Sequence, residues 1–170
     1  LRINADRIED SLIEEAGQAI ADGKLVAFPT ETVYGLGASI LNEDALRRVY
    51  EVKQRSFNKP LSVQIADISF IHYVADNITD KALKLINALM PGPITVIVKA
   101  SASLSPIITA NTGKVGIRIP DHPVALKLIE AAGVPIVAPS ANTSGLVPPT
   151  DADMVLRDIG GKIEYVIDSG

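Results

Sequence analysis

The sequence predicts an α/β fold in which helices alternate with strands around a largely buried sheet. Three observations predict it. Short apolar runs rich in β-branched residues recur along the 170 residues, stretches of helical period separate them, and Gly or Pro marks most junctions. The length fits a single domain, 1–170, able to bury about two-thirds of its unfolded surface without disulfide or zinc.

Asp6, with Glu9 three residues on, has the form of a capping box; Ile8, Leu12, Ala16 and Ile20 then recur at helical spacing up to a stop at Gly23. Residues 25–28 read as a short buried strand closed by Pro29, and 29–38 as a loop. Asn42 can cap a second helix that places Leu46, Val49 and Val52 on one face. A strand over 61–66, a helix over 79–89 ending at Pro91-Gly92, and a β-branched strand over 94–99 follow. Beyond them come a strand at 115–119, a helix over 123–132 that stops at Gly133, and an apolar strand, 135–138, opening into the polar loop 139–149. Thr150 and Asp153 frame another helix start, and 164–167 is the last strand. No repeat, low-complexity tract or linker interrupts the series.

Composition narrows the function. Apolar residues make up 47% and the net charge is only −4, which excludes disorder and a surface coated for nucleic acid. The absence of cysteine excludes a disulfide scaffold, thiolate catalysis and Cys-ligated metals. No apolar run approaches the ~18 residues of a membrane helix, and the N-terminus has no signal-peptide core, so a cytoplasmic location is expected. Residues 47–59, however, hold Arg47, Arg48, Lys53, Arg55 and Lys59 against the single acid Glu51. A cationic spot on an acidic body suits a focused anion site; it also suits a solvated helix face followed by a basic loop.

Familiar nucleotide motifs fail. Gly35-x-Gly37 has Ile at position 40 and no helix opening there, and Gly23-Lys24 is misplaced relative to Gly17 and followed by Leu25 rather than Ser or Thr. Only two histidines exist, His72 and His122, which leaves a histidine-centred triad or metal site poorly supported; His72, in an apolar run, reads as a packing residue.

Four segments could carry chemistry. Residues 29–38 gather Thr30, Glu31, Thr32, Tyr34, Gly35 and Gly37 after a strand, suited either to close approach of a ligand or to a tight turn. Lys53 and Arg55 would converge on one phosphate if the chain is extended, or Lys53 could simply complement the helix end before it. Ser140, Asn142 and their neighbours lie beyond the carboxyl end of a strand, where α/β sheets bind ligands. Arg118, between Ile117 and Ile119, needs a carboxylate or an anionic ligand.

In order, Phe28-Pro29-Thr30-Glu31-Thr32-Val33-Tyr34-Gly35-Leu36-Gly37, Lys53-x-Arg55, Lys59-Pro60-Leu61, Pro91-Gly92-Pro93-x-Thr95, Gly116-Ile117-Arg118-Ile119-Pro120-x-His122-Pro123 and Pro139-Ser140-Ala141-Asn142 resemble the YrdC family of threonylcarbamoyl-AMP synthases. The resemblance implies a twisted open mixed sheet with flanking helices and a concave basic cavity. It implies a nucleotidyltransferase that joins L-threonine, bicarbonate and ATP, with Mg²⁺, and releases pyrophosphate. A partner threonylcarbamoyl transferase would then use the adenylate to modify tRNA.

By position, the resemblance makes Lys53 and Arg55 catalytic phosphate ligands and assigns Thr30, Ser62, Arg118 and Ala138 to L-threonine. Lys59, Ser140 and Asn142 fall to the nucleotide, and Thr32 and Tyr34 to the cavity wall, with no protein ligand for a metal. Two departures are visible: Gln64 stands where members often carry His, and the family's further Ser-Thr-x-hydrophobic strand is absent after Asp168-Ser169-Gly170. The alternative is a module that binds tRNA or double-stranded RNA without catalysis; the acidic remainder and 4% aromatic content count against it.

Overall fold

A computed structural model describes residues 1–169. Among them, seven strands form one mixed sheet: β1 (Val26–Phe28), β2 (Gly35–Ser39), β3 (Ser62–Gln64), β4 (Val96–Lys99), β5 (Lys114–Arg118), β6 (Ile136–Val137) and β7 (Tyr165–Val166). Their order is β4-β5-β3-β6-β2-β1-β7. The pairs β1–β7 and β3–β5 are parallel and the other neighbours antiparallel. Helices α1 (Asp10–Ala21), α2 (Glu43–Val52), α3 (Asp80–Leu89), the single turn α4 (Pro106–Thr109), α5 (Pro123–Ala132) and α6 (Ala152–Ile159) flank it. The expected open mixed α/β architecture is therefore present.

The sheet has a core layer on each face. Leu36, Val63, Ile117 and Val137 pack with Leu46, Val49, Ile108 and Val155 of α2, α4 and α6. Val26, Phe28, Ile136 and Ala138 pack on the opposite side with Ile13, Ile20, Leu128 and Ile129 of α1 and α5. Strand side chains alternate, so Ser62, Gln64, Gly116 and Arg118 share this second face, and the register sets Ser62 beside Gly116 and Gln64 beside Arg118. No β5 side chain joins the apolar layer there. That gap positions the site.

Local chemistry fixes most helix ends. Asn42 accepts from the Ala45 amide at 2.9 Å, Thr79 caps α3, and Gly133 closes α5 at φ +69°. Elsewhere the structure corrects the expectations. Residue 9, not Asp6, takes the N-cap of α1 without a side-chain bond, because Asn4 and Asp6 close a preceding turn. Asp151 rather than Thr150 caps α6, accepting from the Met154 amide at 2.7 Å. His72 is exposed in a 3₁₀ turn, its ring against Tyr73, and packs no core.

Residues 35–38, expected as loop, belong to the fully buried strand β2. Its glycines hide the pattern, but they are what the packing requires. A Cβ on Gly35 or Gly37 would stand 3.2 Å from the Phe28 ring, which lies across both.

The closest helix packing joins α1 to α5, where a Cβ on Gly17 would fall 2.6 Å from the Ala131 Cβ and 2.7 Å from its carbonyl carbon. Backbone cannot yield there as a flexible side chain can. Gly17→Val is expected to lower unfolding free energy by about 3 kcal/mol or more, read by urea denaturation, whereas Gly133→Asn at a left-handed C-cap costs about 1 kcal/mol or less.

Candidate functional site

The loop after β1 folds on its own hydroxyls. Thr30 donates to the Val33 carbonyl at 2.7 Å and accepts from the Thr32 amide at 3.2 Å, with the two hydroxyls 3.0 Å apart. Arg118, at the end of β5, reaches this loop from across the sheet. Its Nη2 donates to Glu31 Oε1 at 2.7 Å and Thr32 Oγ1 at 3.1 Å, and its Nε to the Gly92 carbonyl at 3.0 Å. The pair is largely enclosed, and the guanidinium together with the Asp121 backbone holds the Glu31 carboxyl below the usual range despite the opposing cost of burial. Arg118 has thus found an internal carboxylate while leaving Nη1 without a partner among the described residues.

Lys53 is 2% exposed. Its ammonium donates to the Ser140 carbonyl and, at 2.6 Å, to that of Asn142, tying the C-terminal end of α2 to the loop after β6. Burial, with the nearby positive Arg55, pushes its pKa down to about 8, against a small opposing pull from Asp158. The extended geometry considered for Lys53 and Arg55 is not found: Lys53 ends the helix and Gln54 turns through φ +48°. Arg55 is half-exposed and bonds the carbonyls of Lys59 (3.4 Å) and Pro60 (2.9 Å).

The 47–59 cluster is also divided. Arg47 faces Glu43 at 3.8 Å and Arg48 pairs with Glu164 at 2.7 Å, which leaves Lys53, Arg55 and exposed Lys59 as the basic group beyond the helix. A continuous RNA-binding stripe is not formed.

Ser140 and Asn142 meet at Lys53. Asn142 is buried; its Nδ2 donates to the carbonyls of Thr143 and Leu146, while its Oδ1 and the nearby Ser144 Oγ are enclosed without partners. Asp158, unmarked by any sequence motif, accepts from both the amide and the hydroxyl of Thr143 at 2.7 Å and fixes this loop to α6. Beside it opens a cavity of about 350 Å³ walled by Asn142, Leu146, Val147, Pro149, Met154, Arg157 and Asp158. A second cavity, of about 330 Å³, lies over β3–β5, lined by Ser62 with Thr95, Ile97, Thr112, Lys114 and Gly116 among others. Ala138 joins the two regions, its amide bonded to the Ser62 carbonyl at 3.1 Å.

Tyr34 differs from its expected place on the cavity wall. It is 2% exposed and packs in the core, with only its hydroxyl reaching the Ser169 amide at 3.4 Å. Its backbone is what serves the site, bonding Pro149 and Ala141 at 2.8 Å. No cluster of His, Cys, Asp and Glu suited to a metal occurs among the described residues.

Sequence and fold together match one family. The chain belongs to the Sua5/YciO/YrdC family, whose model, described as "Telomere recombination", matches residues 18–170. It is 46% identical over 97% of its length to the threonylcarbamoyl-AMP synthase of Pyrococcus abyssi and 45% identical over 95% to that of Bacillus subtilis. A putative threonylcarbamoyl-AMP synthase of Methanocaldococcus jannaschii is 40% identical and is covered over 74% of its length. The chain spans about half the length of the first two. Pyrococcus abyssi Sua5 complexed with L-threonine superposes with a TM-score of 0.96 at 45% identity, covering 100% of this chain and 50% of that one. Escherichia coli YciO, at TM-score 0.90 and 22% identity, shares the fold.

Lys53 gives a prediction with a definite sign. The folded chain holds this proton less tightly than the unfolded chain, so the group's contribution to stability rises as pH climbs from about 8 toward the ordinary lysine value. The stability of the wild type relative to Lys53→Met is expected to grow over that window, by of order 3 kcal/mol at most, in denaturation curves from pH 7 to 10.5. Because the variant leaves two carbonyls unmet, it is expected to be the less stable protein throughout. Arg55→Gln, at a half-exposed site, is expected to cost about 1 kcal/mol or less.

Proposed function

We propose that this chain carries the synthase chemistry of its relatives: L-threonine, bicarbonate and ATP give threonylcarbamoyl-AMP, pyrophosphate and water. The observation that carries the reading is a pair of enclosed cations, Arg118 at the end of β5 beside the Thr30–Thr32 loop and Lys53 at the end of α2 inside the Ser140–Asn142 loop. One suits a carboxylate and the other phosphate, while hydroxyls and backbone amides supply the remaining contacts.

In this mechanism Arg118, Thr30, Ser62 and the Ala138 backbone hold L-threonine, and Thr32 helps to position Arg118. The threonine nitrogen bonds to the bicarbonate carbon, and the bicarbonate hydroxyl leaves with an amine proton as water, giving a carbamate. A carbamate oxygen then attacks the α-phosphorus of ATP, breaking its bond to the pyrophosphate oxygen. Lys53 and Arg55 are the catalytic residues, stabilising charge on the phosphoryl oxygens in line with the positioning logic of phosphoryl transfer. Lys59, Ser140 and Asn142 contact the nucleotide. Mg²⁺ carried with ATP would neutralise part of the phosphate charge there, beside Lys53 and Arg55, and would need no dedicated carboxylate cage.

The same reading makes the chain a nucleotidyltransferase whose product passes to a tRNA-modifying threonylcarbamoyl transferase. A cytoplasmic site of action goes with that role; no helix among the described residues is long and apolar enough to cross a membrane.

The test is pyrophosphate release from Mg-ATP. Release is expected only with both L-threonine and bicarbonate, with L-serine a poorer substrate, and Arg55→Gln is expected to lower the rate by about 100-fold or more. The KM for ATP is expected to rise as pH passes about 8 and Lys53 loses its charge. Release that ignores L-threonine would refute the assignment.

A further inference from the structure

Three enclosed side-chain atoms lack a hydrogen-bond partner among the described residues: Gln64 Oε1 on β3, and Asn142 Oδ1 and Ser144 Oγ on the loop after β6. The last two flank Thr143, whose own donors are both met. Its amide and its hydroxyl each reach a different oxygen of one carboxylate, Asp158 on α6, at 2.7 Å.

Thr143 stands between the two groups that hold Lys53. On one side the Asn142 carbonyl accepts from the Lys53 ammonium at 2.6 Å. On the other the Ser144 amide donates to the Lys53 carbonyl at 2.7 Å. Neighbouring Cα atoms are about 3.8 Å apart, so Thr143 cannot shift without carrying both along. Asp158 therefore acts on Lys53 from two residues away without touching it.

A neutral oxygen could meet the Thr143 amide, yet a half-buried carboxylate stands there, at a cost in desolvation. Its charge has a use. Residues 139–149 contain no charged side chain, and no acid forms an ion pair with Lys53 among the described residues. The charges that act on Lys53 are Arg55, two residues on, which opposes its ammonium form, and Asp158, which favours it. Glu51, Lys59, Asp153 and Arg157, the other charged residues near these two helix ends, are exposed.

We propose that Asp158 is a positioning residue for the nucleotide side of the site: through Thr143 its carboxylate fixes the Asn142 carbonyl and Ser144 amide that hold Lys53, and it supplies the negative charge behind that cation. The inference rests on the reading of Lys53 as a phosphate ligand.

Two readouts on the same proteins test it. One is the titration of the Lys53 side chain, followed by its ¹³Cε resonance; the other is steady-state KM for ATP and for L-threonine between pH 7 and 9. Asp158→Asn keeps an oxygen for the Thr143 amide and removes the charge. Without that charge the ammonium loses its proton sooner, so the Lys53 midpoint is expected to fall below about 8, by about half a pH unit or more. KM for ATP is expected to rise about 5-fold at pH 7.5, and KM for L-threonine to stay within about 2-fold. Asp158→Glu keeps the charge and changes the reach, so it is expected to raise KM for ATP while leaving the Lys53 midpoint near that of the wild type. Thr143→Val, which loses only the hydroxyl bond, is expected to do the same, and Thr143→Ser to restore KM for ATP.

A lowered melting temperature in Asp158→Asn, with the Lys53 titration and KM for ATP both unchanged, would overturn the proposal and leave Asp158 structural. Equal rises in KM for ATP and for L-threonine would also overturn it, by showing that the whole site has loosened. If Lys53→Met leaves KM for ATP unchanged, the phosphate reading of Lys53 fails and the inference with it.

Discussion

The Lys53 ammonium draws the end of α2 and the loop after β6 to one point, and the geometry of the nucleotide side of the site follows from it. The loop is ordered by that ammonium, by the Ser144 amide bonded to the Lys53 carbonyl at 2.7 Å, by backbone bonds of Pro139 and Ala141 to Leu36 and Tyr34, and by Asp158 gripping Thr143. The arrangement keeps a cation largely out of water with no carboxylate in contact, which is why burial dominates its lowered pKa. A charge so weakly hydrated interacts strongly with an incoming anion, because less water has to be displaced. The same desolvation that burdens the fold therefore prepares the site.

Much of the fold was legible because period and punctuation agree. The helices at Asn42, Thr79 and Gly133 end where short side chains or left-handed glycine satisfy the backbone. β2 was illegible because Gly35 and Gly37 carry no apolar period, and their role depends on Phe28, which only tertiary packing brings over them. Within the site, Arg118 was legible as a cation in an apolar strand, but its actual partner Glu31 lies far off in sequence. Asp158 left no signal at all, since an acid in the last turn of a helix ordinarily faces solvent. Lys53 was singled out, yet its burial was not foreseen, because a lysine at a helix end reads as exposed. Tyr34 erred the other way: a phenol among hydroxyls reads as a site residue, while its ring serves the core.

The unpartnered atoms sharpen the contrast between the two core layers. On the α2–α4–α6 side the sheet is sealed by aliphatic contacts. On the other side α1 and α5 seal only part of it, and the remainder is floored by Ser62, Gly116, Gln64 and Arg118. Small residues make room there, and polar ones wait for partners. Local inconsistency of this kind, set in an otherwise satisfied structure, is what a binding surface looks like in hydrogen-bond terms.

The strand order has a consequence for how the protein comes together. β3, which carries Ser62 and Gln64, pairs with β5 and β6, whose partner residues 116–118 and 136–137 lie some 50 to 75 positions later in the chain. Neither flank of β3 can be built from its neighbours in sequence, so the floor of the pocket waits for most of the polypeptide. Long loops must close before these pairings repay them, which places the molecule among slowly folding topologies. During that interval β3 has two open edges. The chain can bind nothing at this floor until both are occupied, so ligand binding there reports that the sheet is complete.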